Sequence, residues 1–286
     1  MNSKFVTGRR TVGCVSRTRD EDACPGALQV HQAADGALAR IRLPGGMISA
    51  AALDALAGAA DRFGSGTLEF TARGNLQIRG ISDPAAVAGA VADAGLLPSV
   101  THERVRNIVA SPLSGRAGGL ADIRPWVRDL DRAIQADPDL ARLPGRFWFS
   151  IDDGSADVSG LAADVGVHVV DSGGQERSDS GRDPGGQERV ALLLAGRDTG
   201  IRVGRDEAIS ALTTVARRFV EMRGSAWRVR ELTNRDDLLS GFTRTAEAGH
   251  RYPAGRPPVG WIEQDNGGEV ALGAVAPLGV LSARQA

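Results

Sequence analysis

One lysine, one tyrosine, two cysteines and three methionines among 286 residues set the first limits. Lys4 is the only lysine among 34 basic residues. Nearly every cation is therefore an arginine, whose planar fork matches carboxylates and phosphates two oxygens at a time. Abundant alanine, glycine and aspartate point to biased codon usage, so function is sought in particular arginines rather than in their number. Two thiols, Cys14 and Cys24, cannot supply the four thiolates of an iron–sulfur cluster, and in a reducing compartment they are not expected to pair. Excess charge is missing too: a formal net charge of -1 leaves no global basic field to gather nucleic acid or anionic lipid. No apolar run reaches the roughly 18 residues of a membrane span. The opening "MNSKFVTGRRTVGCVSRTRDEDACPG" has no apolar signal-peptide core. These absences predict a cytoplasmic chain with neither membrane nor nucleic-acid partner.

What is present suits a globular protein, since 42% hydrophobic residues suffice for one large or two ordinary cores. Residues 1–24 are polar, charged and aperiodic, and read as a mobile tail. Residues 25–100 read as a βαβα unit. Here "ALARIRLPGG" (37–46) is a strand, and Ser49 caps a helix with Leu53, Leu56, Ala60 and Phe63 on one face and Gly64 as its stop. Asp83 and Pro84 begin the second helix. Residues 101–255 read as a second, α/β domain. It has a helix around 122–135, strands at "RFWFSI", "VGVHVV" and "RVALLLAG", and a helix after Arg205. The polar, Gly-rich 171–188 reads as a disordered loop. Residues 256–286 contain a repeat: "GAVAPLGVLSA" (273–283) echoes "RIRLPGGMISA" (40–50), which predicts the start of a second βαβ half, incomplete at Ala286.

"FTARGNLQIRGI" (70–81) alternates apolar and polar residues. As a single strand it sends Phe70, Ala72, Leu76 and Ile78 one way and Arg73, Asn75, Gln77 and Arg79 the other. A two-residue hairpin at Gly74-Asn75 is the alternative, and it mixes the two faces, so a continuous or kinked strand is expected. A second polar cluster, "HERVRNIVASPLSGR" (102–116), brings Arg104, Arg106, Asn107 and Arg116 to the start of the second domain. Clustered guanidinium groups at a domain junction suit a ligand with many carboxylates. Asp152 and Asp153 in "SIDDG" invite a catalytic role, although paired Asp before Gly reads more simply as a turn. The four histidines show no metal-ligand spacing.

The pair "TARGNLQIRG" and "RVRNIVASPLSG" resembles the nitrite and sulfite reductase superfamily. Within it, "RDEDACPGALQVH" and "RFWFSIDDGSADVSGL" resemble the precorrin-3B synthase family. The resemblance implies an α+β fold: a ferredoxin-like half-domain (βαβα), an α/β sirohaem-type domain, and the start of a second ferredoxin-like half. It implies an oxygen-dependent monooxygenase acting on precorrin-3A, a polycarboxylate tetrapyrrole. Dioxygen and an electron donor would be partners, and a 4Fe-4S cluster and iron (sirohaem in the reductases) cofactors. Arg73 and Gln77 match the tetrapyrrole-facing pair of the first motif, and Arg106 and Asn107 the Arg-Asn of the second. Arg79, Arg104 and Arg116 are further candidates, and Arg73 and Arg106 are expected to face one cleft. Two departures stand out. The basic pair that binds the oxyanion in sulfite-reducing members is met here by Arg146 and Trp148, and the cluster cysteines lie downstream of Ala286. A truncated synthase is therefore expected. The alternatives are a fragment of a sirohaem-dependent nitrite or sulfite reductase and a non-catalytic tetrapyrrole-binding protein.

Overall fold

A computed structural model describes residues 24–170, 189–256 and 258–286. The N-terminal tail and the Gly-rich loop expected at 171–188 lie outside the described residues, apart from Cys24. The first unit runs β1 (His31–Ala33), β2 (Gly36–Ile41), α1 (Ala50–Phe63), β3 (Thr67–Phe70), β4 (Leu76–Ile81) and α2 (Pro84–Asp93). Both helices start where side-chain chemistry says they should. The Ser49 hydroxyl accepts the Ala52 N–H at 3.2 Å, and the Asp83 carboxylate accepts that of Ala86 at 3.0 Å, satisfying amides a helix start leaves open. Ala52, Leu56, Ala57, Ala59 and Ala60 of α1 and Val87 and Val91 of α2 are buried, and all but Ala52 share a core with Leu68, Leu76 and Ile78 of the sheet.

The expected continuous strand at 67–81 is instead a hairpin. β3 and β4 are antiparallel, with Phe70 opposite Leu76 and Glu69 opposite Gln77. Five residues make the turn. Thr71 N–H reaches the Asn75 carbonyl at 2.8 Å, the Thr71 hydroxyl accepts the Asn75 N–H at 3.1 Å, and Gly74 takes a positive φ of 66°. A Cβ at Gly74 would also meet Gly46 Cα at 3.2 Å, so this position needs glycine twice over. The mixing of faces that argued against a hairpin assumed a two-residue loop. Five residues restore the parity: Leu76 and Ile78 face the core, while Gln77 meets Glu69 on the polar side.

A second sheet follows: β5 (Ile108–Ala110), β6 (Phe149–Asp152), β7 (Val165–Val170), β8 (Arg189–Leu194) and β9 (Arg197–Gly204). The order is β5-β6-β7-β8-β9, parallel across the first three strands and antiparallel thereafter. Helices α3 (Arg124–Ala136) and α4 (Ala208–Met222) contact each other and the sheet. They bury Trp126, Val127, Leu130 and Ile134, and Leu212, Val215, Ala216 and Phe219. Phe147 packs on Phe149 and Phe219 with ring centroids 5.2 and 5.0 Å apart, in the tilted and edge-on arrangements aromatic quadrupoles favour. No helix among the described residues is long and apolar enough to cross a membrane.

The C-terminal segment forms a hairpin of β10 (Gly260–Glu263) and β11 (Val270–Gly273), and then β12 (Val280–Ser282), which pairs antiparallel with β3 at the edge of the first sheet. The sequence repeat is also a backbone repeat. Gly45, in the turn Pro44–Gly46, has φ 67° and ψ 11°, and Leu278, in the turn Pro277–Gly279, has φ 55° and ψ 15°.

Asp152 and Asp153 sit at the end of β6 as organisers of a loop. The Asp152 carboxylate accepts the N–H groups of Gly154, Ala156, Val158 and Ser159 at 2.9–3.0 Å and lies 3.1 Å from His168 Nδ1. Burial pushes this carboxyl up, but the His168 contact and the backbone N–H groups outweigh it and hold the group well below the usual carboxylate range. A depressed folded-state value stabilises the fold above the unfolded carboxyl's pKa of about 3.9, and that contribution is lost as pH falls through the folded value. Asp152→Ala should therefore cost about 3 kcal/mol at neutral pH in urea denaturation, with the difference from wild type shrinking in strong acid. Ser111 completes the loop, its hydroxyl donating to Asp157 at 2.7 Å and accepting the Asp153 N–H at 3.1 Å.

Candidate functional site

A cavity of about 790 Å³ lies between the polar face of the first sheet and the loop that follows α4. Arg40, Arg73, Arg79, Arg146, Arg228 and Arg230 line it, with Asn75, Gln77, Asn107 and Trp227. The first sheet supplies Arg40, Gln77 and Arg79 by strand parity: Arg40 on β2 and Gln77 on β4 are directly paired. Arg40 Nε donates to Gln77 Oε1 at 2.8 Å, and Gln77 Nε2 donates to Glu69 Oε2 at 3.0 Å. Glu69 also takes Arg79 Nε at 3.0 Å, and Arg79 Nη1 reaches Asp35 at 3.4 Å. Gln77 is therefore a spacer that fixes the Arg40 guanidinium, and Arg79 enters the cavity already neutralised by two carboxylates.

Arg73 differs. It is half-buried on the β3–β4 turn, and among the described residues no carboxylate pairs with it. Its guanidinium lies 5.8 Å from the ring centroid of Trp148, as does that of Arg228 from the second domain. Burial first, and then the charge of Arg228, push the Arg73 pKa down. Arg40 is lowered in the same way by burial, with Arg79 and Arg146 adding repulsion. Arg146 stacks on Trp227 at 4.5 Å. Arg228 is anchored from behind by Asp164, with Nε 2.7 Å from Oδ2. Cations that are desolvated and repel one another are relieved by an anion, and the forks suit carboxylates.

The sequence-predicted residues divide. Arg73, Gln77, Arg79, Asn107 and Arg146 line the cavity. Arg106 does not share the cleft with Arg73: its Nε and Nη2 make a two-point ion pair with Asp131 of α3 at 2.7 and 2.9 Å, and its side chain is 6% exposed. Parity alone could not distinguish an arginine facing a ligand from one facing a buried acid. Arg104 and Arg116 are not among the lining residues. Arg104 offers its carbonyl to Arg42 and Asn107, and Arg116 is exposed. Asn107 reaches the cavity wall with its amide fully committed: Nδ2 donates to the carbonyls of Gly145 and Phe147 at 2.9 and 3.1 Å, and Oδ1 accepts from Asn75 at 3.2 Å. It joins the two units. The sequence reading missed Arg40, Arg228 and Arg230.

Residues 31–88 match the nitrite/sulfite reductase ferredoxin-like half domain. A precorrin-3B synthase from Sinorhizobium sp is 33% identical over 152 residues, covering 52% of this chain and 32% of the relative. A ferredoxin–nitrite reductase from Synechococcus elongatus is 32% identical over 126 residues, covering 41% of this chain and 25% of the relative. The chain thus matches about a third or less of the length of these curated relatives. The solved structure of the Mycobacterium tuberculosis NirA protein superposes with a TM-score of 0.69 at 22% identity, covering 87% of this chain and 48% of that one, which establishes the shared fold. Half-domain, fold and sequence similarity agree: residues 31–88 match the nitrite/sulfite reductase ferredoxin-like half domain, the chain shares its fold with the NirA protein, and it is similar in sequence to precorrin-3B synthase and to ferredoxin–nitrite reductases.

Proposed function

We propose that the chain belongs to an oxidoreductase of the precorrin-3B synthase type, and that its arginine-lined cavity binds precorrin-3A, a tetrapyrrole bearing acetate and propionate groups. The observation that carries this reading is six arginines lining one cavity from both sides, with Arg40 and Arg73 held half-buried and mutually repelling. Arg73, Arg40, Arg146 and Arg228 would clamp the carboxylates, and the ring of Trp227 would border the macrocycle. The residues fit a polycarboxylate tetrapyrrole, with or without iron. Iron held in such a ring would supply activation of dioxygen, while Arg40, Arg73, Arg146 and Arg228 would orient the ring.

The same test fails for the iron–sulfur cluster. Two cysteines cannot replace four, and among the described residues only Cys24 stands at the cavity. The chain alone, reconstituted anaerobically with iron and sulfide, should carry much less than one cluster per polypeptide by iron analysis. A stoichiometric cluster spectrum would overturn that expectation.

The reductase alternative is disfavoured at Trp148. Where the resemblance implies a second cation for a small oxyanion, this chain places an indole that is 5% exposed and faced by two arginines. Fluorescence titration with precorrin-3A tests the function directly. A saturable one-to-one complex is expected, unaffected by millimolar nitrite or sulfite; competition by either anion would favour the reductase reading.

A further inference from the structure

Asp164 stands just before β7 and is 1% exposed. Its backbone is held on both sides, its N–H donating to the Trp148 carbonyl at 3.1 Å and its carbonyl accepting the Ala195 N–H at 2.9 Å. From this fixed base the carboxylate joins the start of β6 to the segment that follows α4. Its Oδ2 accepts the Trp148 N–H at 3.1 Å and Arg228 Nε at 2.7 Å, and its Oδ1 accepts the Val229 N–H at 2.8 Å. Three donors converge on two oxygens, so the position demands a group that only accepts. An asparagine of the same shape would turn its NH2 either on the Val229 N–H or on the Trp148 and Arg228 donors.

The Arg228 fork is engaged differently from that of Arg106, which gives Asp131 both Nε and Nη2 away from the cavity. Arg228 gives Asp164 only its Nε. Its Nη2 donates to the Ala162 carbonyl at 3.0 Å, and its Nη1 makes no hydrogen bond among the described residues. The side chain therefore lines the cavity with one donor nitrogen uncommitted. Ala162 holds its end of the mount in the left-handed region, at φ 61° and ψ 52°, where a residue with a Cβ seldom sits. Two anchors fix this long side chain before a ligand arrives, so its rotamer freedom is not lost on binding. The electrostatic effect runs the other way: a carboxylate behind the cation weakens the field an anion meets.

We propose that Asp164 is a positioning residue of the cavity: its buried carboxylate aims Arg228 at an anionic ligand, and the gain from preorganisation exceeds the loss of positive field. The aiming rests on the hydrogen bonds above, whereas its consequence for a polycarboxylate tetrapyrrole rests on the proposed function. Asp164→Asn separates positioning from charge by the sign of its effect. It removes a negative charge from behind the cavity, so by charge alone an anionic ligand should bind more tightly. With Arg228 released from its mount, the same ligand should bind more weakly.

The experiment is fluorescence titration of a uroporphyrinoid into wild type, Asp164→Asn, Arg228→Ala, Arg228→Lys and Asp164→Asn/Arg228→Ala, each as the 286-residue chain. Asp164→Asn should weaken binding about tenfold or more, the scale of one hydrogen bond to a charged group. The double variant should be no weaker than Arg228→Ala, because Asp164 acts through that side chain. Unchanged or tighter binding by Asp164→Asn would overturn the proposal, as would a further large loss in the double variant. Should Asp164→Asn fail to fold, Arg228→Lys decides. Its ammonium settles on Asp164 with no fork left for the cavity, so it should bind as weakly as Arg228→Ala, and wild-type affinity would overturn the proposal. A second readout needs no tetrapyrrole: in NMR of the ligand-free chain with isotope-labelled arginine, the Arg228 Nε–H should exchange slowly with solvent in wild type and fast in Asp164→Asn. An unprotected Nε–H in wild type would overturn the positioning, whereas a protected one in a chain that binds no uroporphyrinoid upholds it and removes the proposed function alone.

Discussion

Arg106→Ala should destabilise the fold by about 3 to 5 kcal/mol, the scale of breaking a buried ion pair and stranding its partner. The Arg106 fork makes two hydrogen bonds to the Asp131 carboxylate, which also accepts Gln135 Nε2 at 3.0 Å. Removing the guanidinium leaves a partly buried carboxylate on α3, at the edge of the main core of the second unit. Chemical denaturation of wild type, Arg106→Ala and Arg106→Ala/Asp131→Ala measures the effect. The double variant should recover part of the loss, because the uncompensated charge is gone. Ligand affinity measured well below the unfolding transition should change little. A large loss of affinity with unchanged stability would return Arg106 to the binding site.

Arg73→Ala should do the opposite. The side chain is half-buried, has no carboxylate partner among the described residues, and is held by Trp148. Its removal relieves repulsion with Arg228 and Arg40, so stability should stay level or rise slightly. Affinity for a uroporphyrinoid should fall by about 1.5 to 3 kcal/mol, the scale of a hydrogen bond to a charged group. Arg73→Lys should recover only part of this, since an ammonium supplies the charge without the planar fork. Equal affinity in both variants would show that Arg73 does not touch the ligand.

The two polar clusters were legible for a simple reason: strand alternation exposes any polar set that breaks it. Alternation reports that a residue leaves its own apolar face and says nothing about what it meets. Gln77 and Arg79 on β4 and Arg73 on the turn meet the cavity, whereas Arg106 meets Asp131, a residue 25 positions away on a helix that had to be placed first. The helix caps at Ser49 and Asp83 were readable because capping is local. The β3–β4 hairpin was not, because its five-residue turn depends on Thr71 and Gly74 and on the close approach of Gly46 from another segment. Arg228 was hidden for the opposite reason: its position is fixed by Asp164, 64 residues earlier, across a tertiary contact that leaves no periodic trace.

The cavity's reading as a site for polycarboxylate tetrapyrroles is put at risk most sharply by one comparison: fluorescence titration of the wild-type chain with a uroporphyrinoid and with a porphyrin dicarboxylate of similar ring, each at low and high salt. Tighter binding of the uroporphyrinoid is predicted, with the preference shrinking as salt screens the arginines. Equal affinities with no dependence on salt would contradict a carboxylate clamp and leave only hydrophobic contact with the ring.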